Sequence, residues 1–199
     1  MQNWVTPVTL KSELITLRQL EPGDKEQLLA AAKDGNLSDL WFTGVPNESS
    51  IDNVLAKAFG ALQSGEEFPF VVVHNSTGKI IGSSRYCQID SINRRLEIGY
   101  TWYAKSFQKT DVNTQAKLLL LQHAFEALNA IAVEFQTHWF NFNSRQAILR
   151  LGAKQDGVRR NHRIMPDGSF RDTVIFSIIQ SEWLGVKANL EFKLKQHNK

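Results

Sequence analysis

Three polar segments in the second half of the chain combine residue types and spacings that are suited to chemistry. The first, residues 107–114, is a short loop between a predicted strand and a predicted helix. Such a loop presents unpaired backbone N–H groups and the positive end of a helix dipole. The segment therefore predicts a site for a pyrophosphate group.

The other two segments lie beyond a predicted strand at residues 132–139. Asn141 and Ser144 follow that strand directly, and Gly152 lies eight residues after Ser144. The third segment is a predicted hairpin over residues 159–179. Its polar side chains are Arg159, Arg160, His162, Arg163, Arg171 and Asp172. The two segments add hydrogen-bonding groups, cations and an imidazole to the predicted phosphate loop.

A mixed sheet flanked by helices is expected to position these segments. Alternating apolar residues predict strands at 8–18 (with a turn near Lys11–Ser12), 68–74, 79–89, 94–103, 132–139, 155–164 and 170–179. Helical spacing and end signals predict helices from 22–24 to about 34, and at 49–64, 113–128, 144–151 and 182–196. A strand meander followed by strand–helix–strand units favours the α/β (α+β) class, with a sheet of about seven strands.

Composition excludes several other classes of protein. The 199 residues contain no linker or repeat, which predicts one domain over 1–199, with its core at about 8–183. Because the chain has a single cysteine, Cys87, it cannot form an internal disulfide. We expect Cys87 to be a packing residue. The net charge of +3 is small and scattered, so no nucleic-acid partner is expected. No signal peptide and no membrane-spanning apolar run are evident, so we expect a cytoplasmic protein without membrane contact.

Four stretches in order, residues 96–102, 108–114, 141–153 and 167–173, resemble the GNAT acyltransferases. The resemblance is to the RimJ/RimL-like branch, the ribosomal-protein N-terminal acetyltransferases, and it spans about residues 8–183. It implies a GNAT fold, whose mostly antiparallel mixed sheet has splayed central strands. It also implies acetyl-CoA as acyl donor, direct transfer to a primary amine, and no metal. The acceptor would be a protein N-terminus or a small amine, and a homodimer is possible.

The resemblance assigns cofactor contacts by position. The pantetheine arm would pair with the backbone of Thr101, Trp102 and Tyr103. Gln108 matches the first residue of the family's loop pattern. The pyrophosphate would rest on the backbone N–H groups of Lys109, Thr110, Asp111, Val112, Asn113 and Thr114. Asn141 would hydrogen-bond the cofactor or its amide.

Three positions depart from the family pattern. Asp111 and Asn113 replace two small residues of the loop, although Asp and Asn tolerate left-handed backbone. Asn113 could alternatively cap the helix. Ile148 stands where many members carry a tyrosine that donates to the leaving thiolate. Ser144 is then the candidate donor, with a helix N-cap as its alternative role. These departures keep open a catalytically weak or inactive CoA-binding sensor or regulatory module.

The predicted transfer also requires a base and an acceptor pocket. Glu97, on the central strand, is the first candidate for the base; an ion pair with Arg94 or Arg95, or a solvated position, is the alternative. His162 is the second candidate on the acceptor side, unless it is structural or solvated. Trp41, in an apolar loop, is expected to form the acceptor wall or else to pack in the core.

The arginine-rich hairpin leaves its own alternatives. Its cations could bind the adenosine phosphates or an acidic acceptor, or they could form a solvated face. Arg171 and Asp172 could also form a buried structural pair.

Overall fold

The computed structural model describes residues 3–197. Its strands are β1 (Leu10–Lys11), β2 (Ile15–Gln19), β3 (Phe68–His74), β4 (Lys79–Asp90), β5 (Arg95–Tyr103), β6 (Ala132–His138), β7 (Lys154–Ile164) and β8 (Phe170–Ile179). Its helices are α1 (Lys25–Lys33), α2 (Ile51–Ser64), α3 (Asp111–Gln122), α4 (Phe142–Leu151) and α5 (Trp183–His197). The predicted domain of residues 1–199 extends at both ends beyond the described residues.

The strands form one mixed sheet in the order β1-β2-β3-β4-β5-β6-β8-β7. Every neighbouring pair is antiparallel except β5 and β6, which run parallel. The predicted fold class is therefore confirmed. The sheet has eight strands rather than about seven because the predicted turn divides the first strand in two. The Ser12 N–H closes that turn on the Ile15 carbonyl at 2.9 Å.

Helices cover both faces of the sheet because several strands are apolar on both sides. Phe70 and Val72 of β3 belong to the larger core, which α3, α4 and α5 cover. Val71, between them, belongs to a smaller core under α1 and α2. Alternate residues of a strand point to opposite faces, so the two cores lie on opposite sides. The face under α3 is called the α3 face below, and the other the α1 face.

The two parallel strands separate after a short paired stretch. Their register runs from Arg95↔Ala132 to Glu97↔Glu134 and stops there. Yet β5 continues to Tyr103 and β6 to His138. A bulge bends β5 at this point, where its register with β4 shifts and Tyr100 has a φ of +51°. The predicted splay of the central strands is thus present, and it is called the wedge below.

Two helix starts differ from those predicted. α3 begins at Asp111, and its N-cap is Thr110, whose hydroxyl oxygen accepts from the Val112 N–H at 3.4 Å. The interpretation of Asn113 as the cap is therefore wrong. α4 begins at Phe142 rather than Ser144, since Asn141 Oδ1 accepts from the Ser144 N–H at 3.1 Å. Ser144 is therefore not the N-cap.

Two further backbone features fix the ends of these helices. The chain continues from α3 into a π-helical turn, His123–Ala127. α4 ends at Gly152, with a φ of +106°, a conformation that favours glycine. A Cβ at Gly152 would lie 3.1 Å from Val186 Cγ2 of α5. Among residues 3–197, no helix is long and apolar enough to cross a membrane.

Candidate active site

The predicted phosphate loop lies at the open end of the wedge, between β5 and α3. The Gln108 side chain folds back and donates to the Tyr103 carbonyl at 2.9 Å. Lys109 adopts a left-handed conformation with a φ of +60°. The Thr110 hydroxyl donates to the Phe107 carbonyl at 2.7 Å. These contacts turn the chain sharply into α3, whose first turn holds the other loop residues assigned from the sequence: Asp111, Val112, Asn113 and Thr114.

One edge of β5 borders the wedge and is open along its last residues. Trp102 and Tyr103 pair with Ser83 and Gly82 of β4 on the other edge. No described strand pairs with the wedge edge beyond Glu97. The backbone polar groups of Thr101–Tyr103 that face β6 are therefore available to an extended molecule inserted between the strands.

A buried lysine, which was not among the site residues predicted from the sequence, lies under this edge on the α3 face. Lys117 Nζ donates to Thr101 Oγ1 at 2.5 Å and lies 5.8 Å from the centre of the Phe135 ring of β6. Burial lowers its pKa to about 7. Its burial could have been predicted from helical spacing. Lys117 lies three and four residues before Leu120 and Leu121, on the apolar face of the helix.

A polar cleft of about 420 Å³ opens on the α1 face, where β5 and β6 part. Its lining comes from β4, β5, β6 and β7: Gln88, Asp90, Arg95, Leu96, Glu97, Glu134, Gln136, Arg159, His162 and Arg163. Glu97 stands at the last paired position of the two strands, at the root of the wedge. The cleft thus brings the two sequence candidates for the base, Glu97 and His162, to one site.

Glu97 is half-buried, and its carboxyl group is a weak acid here. Burial, with a smaller contribution from the nearby Glu134, raises the pKa of Glu97 to about 7; Arg163 and Arg171 oppose this rise. Arg95 pairs with Glu134 and not with Glu97. The alternative of an ion pair between Glu97 and Arg94 or Arg95 is therefore wrong, and Glu97 can exchange a proton near neutral pH.

A bulge in β7 directs the hairpin side chains at the cleft. Its register with β8 jumps from Arg159↔Thr173 to Arg163↔Arg171. Asp172 fixes the bulge, since its carboxylate accepts from the Asn161 N–H at 2.8 Å and from Arg160 Nε at 2.5 Å. The proposed Arg171–Asp172 pair is thus wrong. Inside the bulge, His162 Nδ1 lies 3.0 Å from Thr173 Oγ1.

Aromatic residues form one wall at the far end of β6, on the α1 face. Trp41 is 54% exposed, so its alternative role in core packing is wrong. Its ring contacts His138 edge-on at a centroid distance of 4.9 Å, and Phe140 stacks on the same imidazole at 5.7 Å. His138 Nδ1 accepts from the Phe140 N–H at 3.0 Å, whereas its buried Nε2 has no described partner. His138 was not among the site residues predicted from the sequence, although it continues the alternation of Glu134 and Gln136.

The start of α4 closes the wedge from the β6 side. Asn141 Oδ1 is occupied by the Ser144 N–H, and its amide NH₂ makes no hydrogen bond to a described residue. The half-buried Ser144 hydroxyl likewise has no described partner. Ile148 is buried in the larger core and cannot donate. Ser144 therefore remains the candidate donor in this turn.

Hydrogen bonds near the end of α1 connect the loop that leads to the aromatic wall with the segment before the phosphate loop. The Asp34 carboxylate accepts from the Ser106 hydroxyl at 2.6 Å and from the Ser106 N–H at 3.1 Å. The Lys105 N–H donates to the Asp34 carbonyl at 3.0 Å. Gly35, with a φ of +90°, lies against Lys105 so closely that a Cβ would fall 2.4 Å from Lys105 Cβ. The two loops therefore form one continuous rim.

The described residues contain neither a reactive cysteine nor a cluster of metal ligands. Cys87 is buried, and burial raises the pKa of its thiol well above the usual range, as a packing residue requires. The described residues contain no group of three or more His, Cys, Asp or Glu side chains placed to hold a metal ion.

The mixed sheet, split between two parallel strands with a helix N-terminus at the mouth of the split, is the arrangement that the resemblance to the GNAT acyltransferases implied. Comparison with known proteins gives the family. Residues 15–154 match the family described as Acetyltransferase (GNAT) domain, and the chain belongs to it. The predicted resemblance to the GNAT family is confirmed, and the protein is an N-acetyltransferase by family.

Individual relatives agree with this assignment. The chain is 29% identical over 193 residues to the "Putative ribosomal N-acetyltransferase YdaF" of Bacillus subtilis, covering 88% of this chain and 97% of the relative. A GCN5-related N-acetyltransferase from Brucella melitensis is 26% identical with a TM-score of 0.84, covering 94% of this chain and 85% of that one. Mycobacterium smegmatis RimJ in complex with CoA-disulfide, 20% identical, shares the fold with a TM-score of 0.70 over 89% and 87% of the two chains. The ribosomal N-acetyltransferase name of the Bacillus relative supports the RimJ/RimL-like branch, and the RimJ structure shares the fold.

Proposed function

We propose that the protein moves an acetyl group from acetyl-CoA directly to a primary amine, on a protein N-terminus or a small molecule. The observation that carries the proposal is the position of Glu97. Its carboxyl group, with a pKa raised to about 7, stands where the wedge opens into the polar cleft on the α1 face. A base at that point can meet an amine arriving from one face while the acyl donor occupies the wedge.

The residues around the wedge fit acetyl-CoA. The open backbone edge of Thr101, Trp102 and Tyr103 suits an amide-containing arm, and the first turn of α3 suits a pyrophosphate. The free amide NH₂ of Asn141 and the side chain of Gln108 flank the same opening. When bound, acetyl-CoA supplies a thioester whose acyl carbon the neutral amine can attack. The solved RimJ relative is described in complex with CoA-disulfide.

The chain's own groups then have distinct roles in the transfer. Glu97 takes the proton that the attacking amine must lose, directly or through water. A backbone N–H of the β5 edge donates to the carbonyl oxygen as negative charge develops there. The Ser144 hydroxyl donates to the sulfur that leaves. Lys117, beneath Thr101, holds the hydroxyl of that residue and so helps to fix the edge.

The acceptor lies on the α1 face in this proposal. Trp41 forms its apolar wall, and His162 lies at its polar side, within the cleft. The ribosomal N-acetyltransferase name of the Bacillus relative supports a peptide or protein amine. We include in the proposal a single domain over residues 1–199 and a cytoplasmic location. A homodimer stays a prediction.

A thermal-shift measurement followed by a thiol-release assay tests this function. Acetyl-CoA should raise the melting temperature, and a panel of amines that includes peptides should then release free CoA thiol. Stabilisation without turnover on any amine would favour the sensor module, which the buried, apolar Ile148 also suits.

The cofactor loop has its own test. Gln108→Ala combined with Asn113→Ala should weaken CoA binding measured by calorimetry by roughly tenfold, the effect of losing one or two hydrogen bonds. Gln155→Ala, an exposed change on β7, serves as the control. Unchanged affinity in the double variant would remove the loop assignment.

A further inference from the structure

Two arginines face each other across the hairpin, and no carboxylate of the described residues forms an ion pair with either of them. Arg163 of β7 and Arg171 of β8 are direct cross-strand partners, so their side chains leave the sheet on the same face. Neither guanidinium belongs to any ion pair of the described residues. Like charges directly opposite each other in a sheet are destabilising. Within the hairpin itself, this pairing of Arg163 with Arg171 is therefore unfavourable.

The hairpin offers a carboxylate that could have relieved this repulsion, but it is used elsewhere. Asp172 lies next to Arg171 in the sequence, yet its carboxylate holds Arg160 and the Asn161 N–H and so maintains the bulge. The bulge in turn places Arg163 opposite Arg171. The one hydrogen bond of Arg171 runs from Nε to Thr173 Oγ1 at 3.1 Å. The ends of both guanidiniums thus remain without a carboxylate among the described residues.

The arginine pair is directed at the candidate base. Arg163 lines the polar cleft together with Glu97, and Arg159 lines it as well. Arg171 is half-buried, and burial together with the charge of Arg163 lowers its pKa. Both guanidiniums are near enough to Glu97 to act against the rise in its pKa. A site for an anion therefore adjoins the group that receives the proton of the amine.

We infer that Arg163 and Arg171 form an anion subsite that binds a carboxylate of the acceptor, so that the acceptor is an amine bearing a carboxylate group. Planar guanidiniums bind carboxylates through two parallel hydrogen bonds, which fixes orientation as well as affinity. The amine end of the same molecule then meets Glu97. This inference rests on the proposed function, since it names the acceptor of that reaction. A free amino acid and a peptide with an acidic residue near its N-terminus share this chemistry.

Matched acceptors test the substrate class. In the thiol-release assay, amino acids are compared with their carboxamides, and short peptides with Asp or Glu at the first three positions are compared with Asn or Gln versions. We expect kcat/KM to be about 10- to 100-fold higher for the carboxylate member of the preferred pair. Arg163→Gln and Arg171→Gln should remove that preference, whereas Arg150→Gln, an exposed change on α4, should keep it. Turnover that ignores the carboxylate in every pair overturns the inference and leaves the proposed function intact.

A second measurement does not depend on activity. Succinate serves as a carboxylate probe in thermal unfolding at low ionic strength. It should raise the melting temperature of the native chain and of Arg150→Gln, and should raise that of Arg163→Gln and Arg171→Gln much less. Without succinate, Arg163→Gln should melt at or above the native temperature, because one member of a repelling pair is gone. Arg171→Gln also loses the hydrogen bond from Nε to Thr173 Oγ1, so its melting temperature alone decides nothing. If both variants respond to succinate as the native chain does, or if Arg163→Gln melts below the native chain, the pair is purely structural and the subsite is refuted.

If no amine in the panel is acetylated, the proposed function fails. The succinate measurement then still decides whether the anion subsite exists.

Discussion

Lys117 Nζ lies 2.5 Å from Thr101 Oγ1 and 3.5 Å from Ser84 Oγ, buried beneath the edge of β5 that borders the wedge. The ion pairs of the described residues do not include this ammonium group. The hydroxyl groups of Thr101 and Ser84 accept from it, the Phe135 ring lies 5.8 Å away, and the charge of Glu97 partly opposes the lowering of its pKa by burial. An unpaired buried cation opposes folding, so its retention suits a role at the wedge more than one in stability.

Lys117→Met should make the protein more stable at low pH. The folded pKa of about 7 lies below the unfolded value of about 10.4, so the unfolded chain binds more protons between these limits. The free energy of unfolding of the native chain therefore rises with pH across that window. The buried charge of Lys117 lowers this free energy most below pH 7. Urea unfolding at pH 6, 8 and 9.5 should show the advantage of the variant shrinking as pH rises. A constant difference between the two proteins would contradict this assignment.

Glu97→Gln should lower kcat by about 10²- to 10⁴-fold, the usual contribution of a general base. In the native enzyme, kcat/KM should rise with pH through about 7, because the carboxyl group acts only when ionised. This rising limb of the pH profile should be absent in Glu97→Gln. Glu134→Gln is the matched control: it removes a negative charge beside Glu97, lowers the pKa of Glu97, and should move the limb to lower pH. A limb that persists in Glu97→Gln would assign the base elsewhere.

Trp41→Ala should raise the KM of the acceptor more than the KM of acetyl-CoA. The ring is largely exposed and stands beside His138 on the α1 face, away from α3. Loss of an aromatic contact of about 0.5–1.5 kcal/mol predicts a rise of about 2- to 10-fold. Phe192→Ala, an exposed aromatic of α5, should change neither constant. Equal effects of Trp41→Ala on both substrates would count against an acceptor wall.

Asn141→Ala and Ser144→Ala should separate a structural role from a chemical one. Asn141 caps α4, so its loss should lower the free energy of unfolding by about 1 kcal/mol. Ser144 contributes only its backbone N–H to that cap, so Ser144→Ala should unfold like the native chain in urea while kcat falls. A stability loss in Ser144→Ala, with kcat unchanged, would return Ser144 to a structural role.

Much of the architecture could be predicted because alternation and helical spacing are local properties of the chain. β3, for example, was predicted with its observed bounds from an apolar run between turn residues. Helix starts were less predictable, since Thr110 and Asn113 are both acceptable caps and only the folded loop decides between them. Boundaries of this kind are the least reliable part of any pattern argument.

The site was less predictable than the fold for a related reason. Glu97, His162 and Trp41 could be named from residue type and resemblance. The pairing of Arg163 with Arg171 could not, because it depends on a bulge that Asp172 of the other strand maintains. Contacts that span strands in this way leave no periodic signal along the chain.

The hydrogen bonds between Asp34 and Ser106 join the loop predicted to hold the pyrophosphate to the loop that carries Trp41. A ligand that orders one of these loops therefore also restrains the other. When one substrate is bound, the second substrate loses less conformational entropy of the protein on binding. We expect positive cooperativity between donor and acceptor, equal in both directions as linkage requires. Asp34 would then couple the binding of the two substrates, although it contacts neither the wedge nor the cleft.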